Sequence, residues 1–126
     1  EQMDKKKKFD VILNLEIVEH VDNLDLYLDS CYNLLNENGI MFTATINRTL
    51  TSYVKAIVGA EYILRWLPIG THDWNKFIKP EELEKILLQE NFSTYDVKGL
   101  KFNPITNKWK KSNDLSVNYI ISSIKN

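Results

Sequence analysis

The sequence predicts one α/β domain whose sheet contains parallel strands and a terminal antiparallel pair. Three observations lead to this fold class. An apolar run at Phe9–Leu15 is followed by a one-sided helical pattern and then by a second apolar run at residues 40–46. This strand, helix, strand order is typical of a parallel pair joined by a crossover helix. Two later strand-like runs, at residues 92–100 and 117–124, have no helical pattern between them, which favours an antiparallel pair.

Composition limits the class of protein. With 126 residues, 44% of them apolar, the chain is large enough for one hydrophobic core and gives one domain, residues 1–126. The net charge of −1 offers no broad basic field, so we expect no nucleic-acid partner. The single cysteine, Cys31, lies on an apolar helical face; we expect a core residue and a reducing compartment, the cytoplasm. No signal peptide or spanning helix is visible.

The first strand and helix have clear limits in the sequence. Asp22 and Asn23 are both suitable N-caps for a helix over residues 24–36. Its apolar residues recur at helical spacing, and the Asn38-Gly39 pair can end it because both residues tolerate a left-handed backbone. The apolar face of that helix is Leu24, Tyr27, Leu28, Cys31, Leu34 and Leu35.

Residues 49–67 form a second helical pattern with a wide apolar arc, with Thr49 or Thr51 as its cap. Two interpretations stay open from the residues alone. The segment is either a lid packed on its own domain, or a surface that meets lipid or a long apolar substrate tail. In the second case Tyr53, Tyr62 and Trp66 would be interfacial anchors.

A third helix is predicted to begin at Lys79-Pro80, with Glu81 and Glu82 in its first turn. Leu83, Ile86 and Leu87 form its buried stripe, and Asn91 is its predicted C-terminal cap. After the strand at residues 92–100 we expect a turn at 103–107, an exposed segment at 108–114 and a last strand at 117–124.

The candidate chemistry lies where the first strand ends. Glu16, Glu19 and His20 are spaced i, i+3 and i+4, so one turn of helix would point all three to one side. They could bind a divalent metal, or His20 could act as a general base oriented by the carboxylates. In the third interpretation the two carboxylates are only solvated and His20 caps or packs. His72 and Asp73 form a second candidate acid–base pair.

Longer strings resemble a known family. The stretch from Phe9 to His20 resembles the post-motif strand of class I S-adenosylmethionine (SAM)-dependent methyltransferases. Several further strings resemble the ubiquinone biosynthesis O-methyltransferase family: residues 45–49 (Thr-Ile-Asn-Arg-Thr), 58–65, 70–74 (Gly-Thr-His-Asp-Trp), 76–80, 99–106 and 117–119. The resemblance extends from residue 9 to the end of the chain.

The resemblance implies an enzyme of the methyltransferase class, which transfers a methyl group from SAM to a catechol-type hydroxyl of polyprenylated ubiquinone precursors. By position, Glu16, Glu19 and His20 match the family's magnesium ligands, and Leu15 matches a cofactor contact. Residues 49–68 correspond to a family-specific insertion, which favours the lipid or prenyl-tail interpretation. The implied location is cytoplasmic with peripheral contact at the inner membrane, on the matrix side in a mitochondrion.

The family's glycine-rich loop and first strands find no counterpart in this sequence. The resemblance therefore implies the C-terminal half of a class I methyltransferase sheet. On this view activity requires an N-terminal half, supplied as a separate chain, and the Phe9 strand becomes a sheet edge open to that partner or to a second copy. The alternative is an inactive remnant, or a lipid- or partner-binding module, that does not bind SAM.

Overall fold

The computed structural model describes residues 7–53, 65, 74–103 and 105–126. Five strands form one sheet: β1 (Phe9–Leu15), β2 (Leu35–Ile46), β3 (Phe92–Asn103), β4 (Lys108–Ser112) and β5 (Asn118–Lys125). Two helices, α1 (Leu24–Leu34) and α2 (Pro80–Gln89), accompany them, with short helical segments at Val18–His20, Leu50–Ser52 and Trp74–Lys76.

The strand order is β1-β2-β5-β3-β4. β1 and β2 are parallel, as the crossover pattern predicts, and all other neighbours are antiparallel. The predicted α/β class and the antiparallel arrangement of β3 and β5 are confirmed. The predicted edge position of β1 is also found among the described strands.

Helix α1 begins as the sequence predicts. The side chain of Asn23 accepts a hydrogen bond from the Leu26 amide at 3.1 Å, which identifies Asn23 rather than Asp22 as the N-cap. Helix α2 has Pro80 in its first turn, and its Glu82 side chain returns to the Lys79 amide at 3.2 Å. These local signals depend on near neighbours in the chain, which is why the sequence alone indicates them.

Several predicted boundaries were wrong, and one strand was not predicted. Helix α1 ends at Leu34, and β2 begins at Leu35 rather than at residue 40. The stretch before Ile40 already pairs with β1, through a register shift between Phe9 and Val11. The segment at 108–114, predicted only to be exposed, contains the edge strand β4.

Both helices pack on one face of the sheet. The core joins Leu28 and Cys31 of α1 and Leu83 and Leu87 of α2 with side chains from three strands of the sheet, namely Leu35, Met41, Phe92, Tyr119 and Ile121. Cys31 is a core residue, as predicted, and burial raises the pKa of its thiol.

The opposite face of β1 remains apolar and exposed among the described residues. Val11, Leu13 and Leu15 alternate with the inward-facing Ile12 and Asn14, and they are about half exposed (49%, 59% and 56%).

Most of the predicted helical segment 49–67 lies outside the described residues, and so do His72 and Asp73. Within the described part, Thr49 does cap the start of the segment by accepting from the Ser52 amide at 3.0 Å. No helix of the described residues is long and apolar enough to cross a bilayer.

Candidate functional site

A pocket of about 230 Å³ lies at the carboxyl ends of the parallel pair β1 and β2. In open α/β sheets this edge is where ligands bind. Its lining comes from all five strands and the residue after β1: Leu15, Glu16, Ala44, Thr45, Leu100, Trp109 and Asn118. The pocket is therefore mainly apolar, with one carboxylate and one carboxamide at its wall.

Glu16 follows β1 in a left-handed backbone conformation, with φ of 56°. Its amide still donates to the Ala44 carbonyl at 2.8 Å and so extends the parallel ladder by one residue. A non-glycine residue at positive φ is uncommon and marks a sharp change in chain direction. The side chain of Glu16 is exposed and lines the pocket, while the chain turns into the Val18–His20 helical segment.

Glu19 lies on the other side of the sheet. Its side chain is only 4% exposed, and one carboxylate oxygen accepts a hydrogen bond from Thr45 Oγ1 at 2.7 Å. Thr45 is opposite Tyr119 in the β2–β5 ladder, and Tyr119 belongs to the helix-side core. Because paired residues share a face, the Thr45 hydroxyl and Glu19 also lie on the helix side. Burial raises the pKa of Tyr119 well above its ordinary value, and the nearby Glu19 charge adds to the shift.

His20 has a side chain that is 59% exposed, and its Nε2 lies 3.9 Å from Glu19 Oε1. The imidazole and the buried carboxylate are therefore neighbours, with the imidazole in solvent. Of the three sequence-predicted side chains, the structure brings Glu19 and His20 together and leaves Glu16 at the pocket.

The three do not converge on one point. Among the described residues, no group of three His, Cys, Asp or Glu side chains is arranged to hold a metal ion. The condition for all three to point to one side, a single helical turn directly after β1, is not met, because Glu16 takes a left-handed conformation before the helical segment begins. As they stand, these donors do not fit a magnesium ion, whose octahedral oxygen shell demands strict geometry.

Leu15, the predicted cofactor contact, is placed at the pocket. Its side chain is 56% exposed and, by strand alternation, shares the face of Val11 and Leu13. Sequence reasoning missed Trp109, Leu100 and Asn118 as pocket residues. Only the strand order brings them to β1 and β2, and no local pattern in the sequence records that order.

Comparison with known proteins identifies the family. Residues 1–97 match a family model described as a methyltransferase domain. The chain belongs to this methyltransferase family. It is 60% identical over 126 residues to a ubiquinone biosynthesis O-methyltransferase of Pelagibacter ubique, an alignment that covers 100% of this chain and 52% of that protein. A protein of the same name from Bartonella bacilliformis is 52% identical over 118 residues, 94% of this chain and 48% of its own length. The chain thus spans about half the length of these curated relatives.

Solved structures support the fold. A SAM-dependent methyltransferase of Thermotoga maritima, described as a possible histamine N-methyltransferase, superposes with a TM-score of 0.68 at 16% identity, over 96% of this chain and 59% of that one. Magnesium protoporphyrin IX methyltransferase from Synechocystis PCC 6803, solved with bound SAH, gives a TM-score of 0.55 at 17% identity, over 99% of this chain and 48% of that one. The predicted class I methyltransferase fold is confirmed. The relatives and the structural neighbours are methyltransferases.

Proposed function

We propose that this chain forms the C-terminal half of a SAM-dependent O-methyltransferase that acts on catechol-type hydroxyls of polyprenylated ubiquinone precursors. The observation that carries the proposal is the 60% identity to a ubiquinone biosynthesis O-methyltransferase along the whole chain. An identity this high over every described element supports shared chemistry as well as a shared fold. The catechol and the prenyl tail come from the family resemblance.

The pocket supports only part of a cofactor site. Ligand pockets usually enclose about 300–1,000 Å³, whereas this one encloses about 230 Å³ and leaves Leu15 more than half exposed. Leu15 and Glu16 would form one wall against SAM, which supplies an activated methyl group when bound. The described residues offer no further wall on the outer side of β1, so we propose that the rest of the cofactor is held by the part of the relatives that this chain does not span.

His20 is the group best placed to accept a proton from a substrate hydroxyl. Its imidazole is in solvent at the carboxyl edge of the sheet, and the Glu19 carboxylate faces its Nε2 at 3.9 Å. A carboxylate beside an imidazole can orient the ring for its role as a general base. Thr45 fixes the carboxylate by its 2.7 Å hydrogen bond.

The assignment of Glu16, Glu19 and His20 as metal ligands stays a prediction from the resemblance. A shared metal site requires the Glu16 side chain to move from the pocket to the helix side, or the Glu19 carboxylate to give up its hydrogen bond from Thr45. Manganese binding followed by electron paramagnetic resonance tests it directly, with Glu16→Gln as the variant. Unchanged Mn²⁺ affinity in that variant would remove Glu16 from the ligand set.

The test of the proposed function has two arms. Calorimetric titration of the chain alone with SAM should show no saturable binding below the millimolar range. Adding the part of the Pelagibacter ubique relative that lies outside the alignment should produce micromolar SAM binding and methylation of a short-chain prenylated catechol. Micromolar binding by the chain alone would contradict the divided site, and a SAM-bound mixture that leaves the catechol unmethylated would contradict the proposed reaction.

The exposed apolar face of β1 favours one second candidate, a non-catalytic binding module. Val11, Leu13 and Leu15 offer an apolar strip next to a strand edge that no other described strand pairs with, which is suited to protein partners. The two candidates separate in the same experiment. A binding module would associate with the added segment and yet give no methyl transfer.

A further inference from the structure

One face of the sheet carries most of the side chains that line the pocket. In the antiparallel ladders Asn118 is the direct partner of Ile46 on β2 and of Leu100 on β3. Paired residues share a face, and so do residues two apart on one strand. By this register, five of the lining residues lie on the face opposite to α1 and α2, namely Leu15, Ala44, Leu100, Trp109 and Asn118.

The pocket has two walls that come from opposite sides of the sheet. Leu15 and Glu16 form the wall at β1, and a second wall consists of Leu100, Trp109 and Asn118. Under the proposed function, the part of the relatives that this chain does not span completes the cofactor site beside β1, so SAM lies against the first wall. The two reactants must meet in one pocket for the methyl group to be transferred. The second wall is therefore the surface that remains for the methyl acceptor.

The second wall combines apolar surface with an amide. The indole of Trp109 and the side chain of Leu100 are apolar, and the carboxamide of Asn118 has both N–H donors and an acceptor oxygen. Within the described part of the chain, no hydrogen bond involves that carboxamide, although Asn118 is half-buried. Ligand pockets typically have this composition, in which apolar walls enclose a few polar groups that orient the ligand.

The chain just before Asn118 is held by hydrogen bonds from the end of β2. Asn47 donates from its amide to the Val117 carbonyl at 2.7 Å and from its side chain to the Leu115 carbonyl at 2.8 Å. The Thr49 hydroxyl donates to the carbonyl between them. Three successive carbonyls are thus fixed immediately before the pocket residue. Asn118 therefore has a defined place before a ligand arrives, which lowers the cost of binding.

Trp109 is placed by its partner on the neighbouring strand. Phe102 lies opposite Trp109 in the β3–β4 ladder, with ring centroids 5.1 Å apart and planes inclined by 39°. Aromatic rings at this separation attract each other. Trp109 is nevertheless 57% exposed, so part of its indole surface is available to a second ring in the pocket.

The volume of the pocket suits a single ring. A cavity of about 150 Å³ is large enough for benzene, and this pocket encloses about 230 Å³. It therefore has room for one six-membered ring with small substituents. Any longer chain on the ring extends outside the pocket.

We propose that Trp109 and Asn118 select the methyl acceptor. The indole of Trp109 packs against the aromatic ring, and the carboxamide of Asn118 makes a hydrogen bond with one ring hydroxyl. A hydroxyl held there fixes the rotation of the ring in its plane, so the neighbouring hydroxyl is presented to the first wall at one defined position. The identity of the acceptor, a dihydroxylated ring, rests on the proposed function.

The test is an NMR titration of the isotope-labelled full chain with two small rings, methylcatechol and toluene, which differ in their hydroxyls. EDTA in the buffer keeps metal ions out of the comparison. Methylcatechol should bind in the low millimolar range and shift the signals of the Trp109 indole and the Asn118 carboxamide. In each variant below, binding is followed on whichever of these two signals remains, and the dispersion of the amide signals confirms that the variant is folded.

The two side chains should have different effects. Trp109→Ala should weaken the binding of both rings about tenfold, since the aromatic contact is lost for both. Asn118→Leu keeps the size of the side chain and should weaken methylcatechol about fivefold, the contribution of one neutral hydrogen bond, and toluene less than about twofold. The matched controls are Tyr95→Ala, at an exposed ring on β3 outside the pocket, and Asn33→Leu, on the exposed side of α1. Both should leave the two affinities unchanged.

Three results would overturn the proposal. The first is a native chain whose Trp109 and Asn118 signals do not respond to methylcatechol. The second is an equal loss in the pocket variants and in their controls. The third is a response of the same two signals to S-adenosylhomocysteine at lower concentration than to methylcatechol, which would make the second wall part of the cofactor site.

A failure of the proposed function would look different. If the chain mixed with the added segment binds SAM and leaves the prenylated catechol unmethylated, while methylcatechol still binds at Trp109 and Asn118, the reaction is wrong and the ring site stands. If methylation proceeds and Trp109→Ala leaves the KM for the catechol unchanged, the ring site is wrong and the reaction stands.

Discussion

The buried bond between Thr45 and Glu19 gives the sharpest prediction for the candidate site. The two oxygens are 2.7 Å apart, and the exposed fractions are 1% for Thr45 and 4% for the Glu19 side chain. Replacing Thr45 by valine keeps the shape of the side chain and removes the donor. A hydrogen bond to a buried charged group contributes about 1.5–3 kcal/mol, so Thr45→Val should lower the free energy of unfolding by about 2 kcal/mol.

The control variants separate the charge from the hydroxyl. Thr45→Ser keeps the donor and should lose about 1 kcal/mol, for one methyl group. In a Glu19→Gln background the carboxamide oxygen still accepts from Thr45 but carries no charge. In the Glu19→Gln background, Thr45→Val should lower the free energy of unfolding by only about 1 kcal/mol, because the acceptor left without its donor is neutral.

Urea unfolding followed by far-ultraviolet circular dichroism measures these differences. For a small domain the slope is about 1–3 kcal/mol per molar urea, so a loss of about 2 kcal/mol should lower the midpoint by about 1 M. If Thr45→Val costs the same in the native and Glu19→Gln backgrounds, the charged hydrogen bond is not made. Glu19 would then be free to act elsewhere, including as a metal ligand.

Three further predictions concern the core, the hairpin and the free edge. Leu28→Ala removes a fully buried side chain of α1 and should lower the free energy of unfolding in urea by about 3 kcal/mol. The control Leu26→Ala, on the exposed face of the same helix, should lower it by less than about 0.5 kcal/mol. Similar losses in both variants would contradict the packing of Leu28. The pKa of Asp114 is lowered from 3.8 to about 2, chiefly by hydrogen bonds from Ser116, so its contribution to stability is present above about pH 4 and lost as the pH falls through 2. Carboxyl-carbon NMR titration of Asp114 checks this, and a midpoint near 3.8 would refute it. We expect a second copy to pair along the apolar edge strand β1, so Leu13→Lys, with a charge on the exposed face of that strand, should weaken self-association in sedimentation velocity. A monomeric native chain, or an unchanged association constant in the variant, would show that β1 is not such a contact.

Much of the fold could be predicted because its signals are local. The cap of α1 depends on Asn23 and the amide three residues on, and the start of α2 depends on Pro80 and Glu82. Strand β4 could not be predicted in the same way. Residues 108–111 of this strand are all exposed, because among the described strands it pairs only with β3. Without a buried face, a strand has no apolar alternation for the sequence to show.

The candidate site was predicted by composition and missed in geometry. Glu16, Glu19 and His20 do lie where β1 ends, at the sheet edge that the fold class indicates. One residue decides their separation. A left-handed backbone at Glu16 turns the chain before the helical segment, so Glu16 stays with the pocket and Glu19 passes to the helix side. Glutamate has no special preference for positive φ, so the residue type gives no warning of the turn.

The pocket itself requires a curled sheet. Leu15 and Trp109 come from β1 and β4, the two edge strands, yet both line it. In a flat sheet, four strand spacings of about 4.8 Å would hold these strands roughly 19 Å apart, too far for one pocket of about 230 Å³. The register shift between Thr94 and Asp96 on β3 is a site of added twist. Any contact that moves the β3–β4 hairpin therefore moves one wall of the pocket relative to Leu15 and Glu16 on the other.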